Sequence, residues 1–229
     1  MASPGSAVEG AGKVNGFTPT LALPPVREHA VRCTTGGGLR AILEPDVTLA
    51  VWERSLPPEI GAGLDRMPAA GWPSLRVETT AARVRGDLAA AWPDPLPDAL
   101  TADIVHLVRL YADLTATRKV AVRLETVAGH GCRYFHADSV GIRLLCTYRG
   151  AGTLWLPDDA VVRKALGRGD NAAVAPDPSR IRALACGHVG LMKGEAWPRN
   201  RGRGLVHRSP PADPRHGPRL LLCFDHAEG

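Results

Sequence analysis

Residues 119–127, Lys-Val-Ala-Val-Arg-Leu-Glu-Thr-Val, decide the fold class, because the pattern of the chain changes here from helical to extended. The stretch alternates apolar and polar residues, as a half-buried strand does. Residues 79–92 and 98–116, which precede it, predict helices, and the second has an apolar stripe at spacings of three and four residues. That stripe consists of Leu100, Ile104, Leu107, Val108, Tyr111 and Leu114.

Short apolar or alternating segments, separated by Gly, Pro and Asp, follow the 119–127 stretch. Each of them predicts a strand. Helices before and many short strands after predict an α+β fold, with N-terminal helices followed by a double-stranded β-helix of the jelly-roll or cupin-like kind. The predicted strands are 140–148, 152–156, 189–197, 204–209 and 219–225.

These patterns divide the chain into three parts. Residues 1–25 are rich in Gly, Ala, Ser and Pro and predict a flexible arm. Residues 26–118 predict a mainly helical part packed on the β domain, with one strand in 43–54. Residues 119–229 form the predicted double-stranded β-helix, which a polar insertion with a short helix interrupts at 158–185.

The composition limits the class of protein. With 229 residues, 45% of them apolar and 22% charged, the chain is expected to be a soluble globular protein. It has no apolar run of the roughly 18–20 residues that span a bilayer and no apolar signal core, so we expect a cytoplasmic location and no membrane partner. The five cysteines include no Cys-x-x-Cys pair, which argues against a disulfide framework and a zinc knuckle.

The formal charge of +5 is carried mainly by arginine, which suits carboxylates and phosphates. The loop 197–204, Trp-Pro-Arg-Asn-Arg-Gly-Arg-Gly, concentrates arginines beside an aromatic ring, just before a predicted strand. An anionic substrate is compatible with this loop, and nucleic acid is not excluded as a partner. A solvated surface loop is the simpler interpretation.

The stretch Cys132-Arg-Tyr-Phe-His-Ala-Asp138 contains a His-x-Asp pair. In an extended strand, residues i and i+2 point to the same face, so His136 and Asp138 can converge on one ion. For an isolated pair the alternative is a structural hydrogen bond at a strand end. A third ligand is needed from a neighbouring strand, and His207 qualifies. Two histidines and one carboxylate form a facial triad, which suits Fe(II) and also accepts Zn(II) with water in the open position.

Cys132 is the remaining candidate ligand. By strand parity it lies on the same face as His136 and Asp138, and a thiolate would favour zinc. Four residues of extended strand span about 13 Å, however, which is too far for one ion unless the chain bends. Cys132 is therefore a weaker candidate than the other three residues.

The order of these features resembles the 2-oxoglutarate/Fe(II) dioxygenase superfamily, in which His-x-Asp and a distal His bind iron. In that superfamily a basic residue on the next strand binds the far carboxylate of 2-oxoglutarate. The resemblance implies this role for Arg219, which lies twelve residues after His207. A guanidinium holds a carboxylate through two parallel hydrogen bonds. Arg208 and Arg215 are reserve candidates for the same role.

Longer strings of residues are similar to a bacterial family called domain of unknown function 1826, over most of the chain beyond the arm. The resemblance implies no particular reaction, so it supports the site without naming a substrate. A genomic context of zinc homeostasis in some members keeps a zinc-related role open. The strings are Cys132–Asp138, Thr147–Thr153, Met192–Gly194 and Val206–Pro211.

Three functions therefore stay open from the sequence. The first is an Fe(II)- and 2-oxoglutarate-dependent oxygenase, an oxidoreductase with an unknown substrate. The second is a non-enzymatic zinc-binding or zinc-homeostasis protein that uses the same residues, with or without Cys132. The third is a cupin-like interaction domain without a metal. An open coordination position beside a pocket would favour the first, and a fourth protein ligand would favour the second.

Overall fold

The computed structural model describes residues 1–2, 29–67, 74–92, 94–129, 131–212 and 217–227. The predicted flexible arm lies outside these ranges apart from Met1 and Ala2. Within them the chain forms ten strands and four α-helices. The strands are β1 (Ala30–Cys33), β2 (Leu49–Trp52), β3 (Leu75–Thr79), β4 (Val120–Val127), β5 (Ile142–Arg149), β6 (Leu154–Trp155), β7 (Arg182–Ala183), β8 (Val189–Lys193), β9 (His207–Arg208) and β10 (Arg219–His226). The helices are α1 (Pro58–Asp65), α2 (Val84–Ala91), α3 (Asp98–Thr115) and α4 (Asn171–Val174).

Seven strands form one large sheet in the order β1-β2-β8-β5-β10-β4-β3. Its neighbouring strands are antiparallel, except that β1 and β2 are parallel. The 119–127 stretch forms β4, as its alternation predicts. β10 lies between β4 and β5, which follow each other in the chain, so the later strand separates the two earlier ones.

The segment 26–118 contributes more strands to this sheet than the sequence predicts. Besides β2, which lies in the predicted strand 43–54, both β1 and β3 join the sheet. β3 alternates over only five residues, Leu-Arg-Val-Glu-Thr, so its pattern is too short to stand out from the helix predicted to follow. That helix begins at Val84 rather than at residue 79. The helices of segment 26–118 thus pack on a sheet to which the same segment contributes β1, β2 and β3.

The helices cover one face of the large sheet. α3 turns its predicted apolar stripe inward, and every residue of that stripe is at most 9% exposed. The stripe packs in one core with sheet residues such as Val122, Leu144 and Phe224. Burial of apolar surface is the main stabilising contribution to such a core, at roughly 25 cal/mol per Å².

None of the helices in the described ranges is long and apolar enough to cross a bilayer.

A second sheet, with strand order β7-β6-β9, lies against the opposite face of the large sheet. Successive residues of a strand point to opposite faces, so Leu144 belongs to the helical core and Leu145 to the core between the sheets. The result is a mixed α and β architecture built on a large sheet, as the sequence predicts. The core between the sheets consists of Leu49, Val51, Leu145, Trp155, Leu184, Met192, Leu205 and Cys223.

The 158–185 insertion forms a layer outside the small sheet. In place of one short helix it contains 3-10 turns, α4 and β7. The Asn171 side chain accepts a hydrogen bond from the Phe135 N–H at 2.8 Å and donates one to the Arg133 carbonyl at 3.0 Å. The insertion therefore fixes the backbone that leads into the His-x-Asp pair. Its apolar contacts with that backbone and the small sheet involve Phe135, Leu156, Ala165, Val174, Ala175 and Val206.

Candidate metal centre

His136 and His207 pair directly across two antiparallel segments. The His136 N–H donates to the His207 carbonyl at 3.0 Å, and the His207 N–H donates back to the His136 carbonyl at 2.9 Å. The His-x-Asp pair is therefore held by an isolated bridge and not by the extended strand from which its side-chain directions were argued. Because directly opposite residues place their side chains next to each other, the two imidazole centroids are 4.6 Å apart.

Asp138 completes a group of three side chains. Its Oδ1 lies 3.5 Å from Nε2 of His136, and its Oδ2 lies 3.3 Å from Nε2 of His207. One ligand atom from each residue can be chosen so that all lie within 4.8 Å of one another. Among the described residues no other His, Cys, Asp or Glu joins this group. The structure brings together the three predicted ligands, and their binding of a metal stays a prediction.

Backbone carbonyls orient both imidazole rings. Nδ1 of His136 lies 2.9 Å from the Tyr134 carbonyl, and Nδ1 of His207 lies 3.1 Å from the Leu205 carbonyl. A carbonyl only accepts hydrogen bonds, so we assign the proton of each neutral ring to Nδ1. Each Nε2 then keeps a lone pair on the side that faces Asp138. This is the arrangement that a metal-binding imidazole needs.

The Asp138 carboxylate is held in its ionised form. Burial by itself would raise the pKa of Asp138. The hydrogen bonds that Nε2 of His136 and His207 can donate when a ring is protonated, together with the charge of Arg143, outweigh that effect and hold the pKa of Asp138 well below its usual range. Nη1 of Arg143 donates to Oδ2 at 2.7 Å. The contact with Asp138 in turn raises the pKa of His136. A metal ion that displaced the Nε2 protons would meet one anionic oxygen and two imidazole nitrogens.

A turn after β8 fixes the backbone of Asp138. The Glu195 N–H donates to the Asp138 carbonyl at 2.8 Å, and the Ala196 N–H donates to the Val140 carbonyl at 3.1 Å. Gly194 lies against the same segment, where a Cβ would approach the Val140 oxygen to 2.2 Å and the Asp138 oxygen to 2.7 Å. A larger residue at this position has to displace the segment that carries Asp138.

We expect Gly194→Ala to lower the free energy of unfolding by about 3 kcal/mol, because the added methyl group pushes the 138–140 backbone aside. Metal affinity is expected to fall as well, since Asp138 moves with this backbone. Urea unfolding and metal titration measure the two effects. Gly141→Ala is the matched control, because a Cβ at Gly141 meets nothing within 4 Å. Equal destabilisation by both substitutions would contradict the explanation.

Arg219, the predicted carboxylate-binding residue, begins β10 and is only 6% exposed. Its Nη2 lies 3.3 Å from Oγ1 of Thr153 and 3.5 Å from Oγ1 of Thr147. Within the part of the chain that the structure describes, its Nε and Nη1 are buried without a hydrogen-bond partner. Burial lowers the pKa of Arg219 to about 10. A buried cation with two unpaired nitrogens is unfavourable, and a carboxylate would satisfy it.

Arg219 lies on the same face of the large sheet as Arg143 and Asp225, and Arg143 contacts Asp138 of the triad. Alternation along β10 places residues 219, 221, 223 and 225 on the face that meets the small sheet. Asp225, near the end of β10, binds Arg143, which in turn binds Asp138. Arg219 thus lies at the start of β10, and Asp225, which contacts the triad through Arg143, lies near the end of the same strand.

The reserve candidates for the carboxylate-binding role are less suitable or lie outside the described residues. Arg215 is outside them. Arg208 follows His207 in β9, so its side chain points to the opposite face of the strand. Its guanidinium lies 5.0 Å from the centre of the Phe135 ring. The structure favours Arg219.

Cys132 does not join the three predicted ligands. It is exposed, and it lines an open cleft of about 560 Å³ together with Gly131, Arg133, Tyr134 and His136. The His136 side chain is 35% exposed, whereas that of His207 is 8% exposed. The cleft therefore reaches the triad from the His136 side, and Cys132 belongs to its wall.

The predicted arginine loop, residues 197–204, is not part of this cleft. The Glu195 carboxylate closes the loop by accepting hydrogen bonds from the backbone of Gly202 and Gly204. Arg203 lies 3.6 Å from Asp46. A role of the loop in binding an anionic substrate or nucleic acid stays a prediction.

Sequence reasoning missed the residues that surround the ligands. Arg143 lies in β5 on the same face as Thr147. Nothing in the sequence around it distinguishes it from an ordinary strand residue. The available signal was Asp225, an acid six residues after Arg219 and on the same face of the strand. A buried acid at that position requires a basic partner from a neighbouring strand.

Solved structures with a similar fold include several oxygenases. The dioxygenase for auxin oxidation 1 from Arabidopsis thaliana, a binary complex with 2-oxoglutarate, is 10% identical with a TM-score of 0.49, covering 87% of this chain and 92% of that one. The rice dioxygenase for auxin oxidation is 13% identical with a TM-score of 0.46, covering 86% and 82%. A prolyl-4-hydroxylase from Pseudomonas putida is 11% identical with a TM-score of 0.44, covering 85% and 99%.

No curated protein matches the chain. A family model does match it, over residues 34–225, which is most of the sequence. That range includes β2 to β9, all of β10 except its last residue, the triad and Arg219. The resemblance noted from the strings around His136, Thr147, Met192 and His207 is thereby confirmed, and the chain belongs to the family described as Protein of unknown function (DUF1826).

Proposed function

We propose that this protein is an Fe(II)- and 2-oxoglutarate-dependent oxygenase. His136, Asp138 and His207 would hold the iron, and Arg219 would hold the co-substrate. The observation that carries the proposal is the Arg219 guanidinium, buried with two unpaired nitrogens on the sheet face to which the triad is connected. A buried guanidinium without a partner is costly, and a bound carboxylate would remove that cost.

The donor set supports iron. Two imidazole nitrogens and one carboxylate oxygen form the set that non-haem Fe(II) oxygenases use, and such a set leaves positions for further ligands. Within the described residues no fourth protein ligand closes the group. A closed structural zinc site would have four protein ligands. The open set is therefore suited to a co-substrate and dioxygen.

The surroundings of Arg219 support a carboxylate ligand. The hydroxyl groups of Thr147 and Thr153 lie beside Nη2, so three side chains offer hydrogen-bond donors at one place. No acidic side chain of the described residues neutralises this group by a hydrogen bond or an ion pair. One carboxylate of 2-oxoglutarate would take two parallel hydrogen bonds from the guanidinium.

The finer fold is part of the same proposal. We propose that the large and small sheets are the two halves of a double-stranded β-helix, because one apolar core joins them. When bound, iron and 2-oxoglutarate supply the oxidative chemistry. The protein's own residues fix the open side of the metal, orient both imidazoles and exclude water on the buried His207 side.

The substrate would approach through the cleft beside His136. Its wall combines a half-exposed aromatic ring with a guanidinium, since Arg133 lies 4.7 Å from the centre of the Tyr134 ring. Tyr134 is 41% exposed, which is unusual among the large apolar residues of the described chain. Such a wall suits a substrate that carries an anionic group next to a planar one.

Anaerobic titration with Fe(II) and then 2-oxoglutarate tests the proposal. We expect one Fe(II) per chain and, on adding 2-oxoglutarate, a visible charge-transfer band from the chelate. Asp138→Asn serves as the control, because it keeps the volume of the side chain and removes the anionic donor. Iron binding without a band would refute the use of 2-oxoglutarate. Tight Zn(II) retention with no band would instead favour the zinc-binding alternative.

A further inference from the structure

We infer that Arg143 is a positioning residue that restricts Asp138 to one metal-binding oxygen. The inference rests on the proposed metal centre and adds two residues to it, Arg143 and its anchor Asp225. The three ligands alone do not determine whether the Asp138 carboxylate binds a metal through one oxygen or through two.

Arg143 reaches from β5 to two carboxylates. Its Nη1 donates to Oδ2 of Asp138 at 2.7 Å. Its Nε and Nη2 donate to the two oxygens of Asp225, each at 2.7 Å. The three side chains are between 14% and 17% exposed, so water competes weakly for these bonds. The guanidinium is thus held by Asp225 on one side and holds Asp138 on the other.

The two oxygens of Asp138 are consequently not equivalent. Oδ2 accepts the hydrogen bond from Arg143 and lies 3.3 Å from Nε2 of His207. Oδ1 lies 3.5 Å from Nε2 of His136 and has no arginine partner among the described residues. An oxygen that already accepts a short bond from a cation is a poorer metal donor than a free one. Oδ1 is therefore the oxygen left for a metal, and single-oxygen binding keeps one more coordination position open than chelation by both oxygens.

Arg123 belongs to the same polar cluster without touching Asp138. Its Nη2 lies 3.4 Å from Oδ2 of Asp225 and 2.9 Å from Sγ of Cys223. Arg123 is 26% exposed, and it contacts Asp225, as Arg143 does, but not Asp138. The chain thus offers a matched control for loss of an arginine from this cluster.

Zn(II) is the probe, because it fits the same donors and has no redox chemistry or colour. For the wild-type chain we expect one tightly bound Zn(II). The symmetric and antisymmetric infrared stretches of the Asp138 carboxylate should be widely separated, as in single-oxygen binding. A difference spectrum between unlabelled protein and protein with isotope-labelled Asp measures this separation. For Arg143→Gln we expect an affinity about 10–100-fold lower and the narrower separation of two-oxygen binding. Arg143→Lys should show an intermediate affinity, since an ammonium group cannot pair with both carboxylates at once.

Asp225→Asn keeps Arg143 but weakens the ion pair that holds its guanidinium in place. This variant replaces Arg143→Gln in the test if Arg143→Gln fails to fold. We expect it to weaken Zn(II) binding about 5–10-fold, and the double variant to be no weaker than Arg143→Gln alone. Arg123→Gln should stay within about twofold of wild type.

Wild-type affinity and an unchanged infrared separation in the Arg143→Gln and Asp225→Asn variants would overturn the inference and leave the metal centre intact. A narrow separation in the wild-type protein would do the same. Absence of Zn(II) and Fe(II) binding by the wild-type protein would instead refute the proposed function itself. The two failures are therefore distinguishable.

Discussion

Arg219→Met is expected to abolish 2-oxoglutarate binding and at the same time to stabilise the ligand-free protein. Without a ligand, the Arg219 charge is buried and two of its nitrogens have no partner. Its pKa in the folded chain is lowered to about 10, so the penalty is fully present at any pH below that value and disappears as the pH rises further. Replacing the charge with an apolar side chain should raise the free energy of unfolding at neutral pH by about 2 kcal/mol.

The same substitution removes the group that holds the co-substrate carboxylate. We expect the affinity for 2-oxoglutarate to fall by a factor of about 100 or more, measured by calorimetric titration of the Zn(II)-loaded protein without oxygen. Thermal unfolding offers a second measurement, because 2-oxoglutarate should raise the melting temperature of the wild type and not of the variant. Arg208→Met is the control, since Arg208 also lacks a carboxylate partner yet points away from His207. If Arg208→Met loses binding and Arg219→Met retains it, the assignment is wrong.

His207→Ala is expected to reduce the bound metal from one equivalent per chain to none. His207 is 6% exposed and contributes the buried nitrogen of the triad. Without it only two ligands remain, His136 at the cleft and Asp138, and two ligands bind a metal weakly. The backbone bridge with His136 does not depend on the side chain, and the fold should therefore persist. Metal analysis after dialysis measures the stoichiometry, and circular dichroism reports on the fold.

His106→Ala is the matched control for a lost histidine. His106 lies on α3, on the helical side of the large sheet, where its ring contacts Trp52 at 6.0 Å between centroids. Its removal should leave the stoichiometry unchanged. A His207→Ala variant that is folded and still carries one equivalent of metal would show that the site is elsewhere.

The periodicity of the sequence predicted the long helices and strands. The spacing and order of motifs predicted the three candidate ligands. α3 has an uninterrupted helical stripe, β4 alternates, and β10 is a continuous apolar run between charged residues, so a local pattern suffices to recognise them. β1 and β3 have only four and five residues, and their pairing with β2 and β4 depends on contacts distant in sequence. Short patterns of this kind do not distinguish a strand from the start of a helix.

The candidate site shows the same limit. His136, Asp138 and Arg219 have recognisable spacing along the chain, so the sequence alone proposes them as candidates. Arg143 has no such spacing with Asp225, from which it is separated by 82 positions. Their contact requires β10 to lie beside β5, and this neighbourhood follows from the sheet order rather than from any local pattern.

The position of β10 between β4 and β5 has a consequence for assembly. Two strands adjacent in the chain can pair early as a hairpin, because the entropy cost of closing a loop grows only slowly with its length, and the connection from β4 to β5 has 14 residues. Here a hairpin of β4 and β5 would occupy the place of β10 and would leave Arg143 without Asp225. The chain therefore has to keep these two strands apart until residues 219–226 enter between them. Metal capture should consequently be a late event in folding, and a chain that closes the early hairpin is a misfolded, metal-free species.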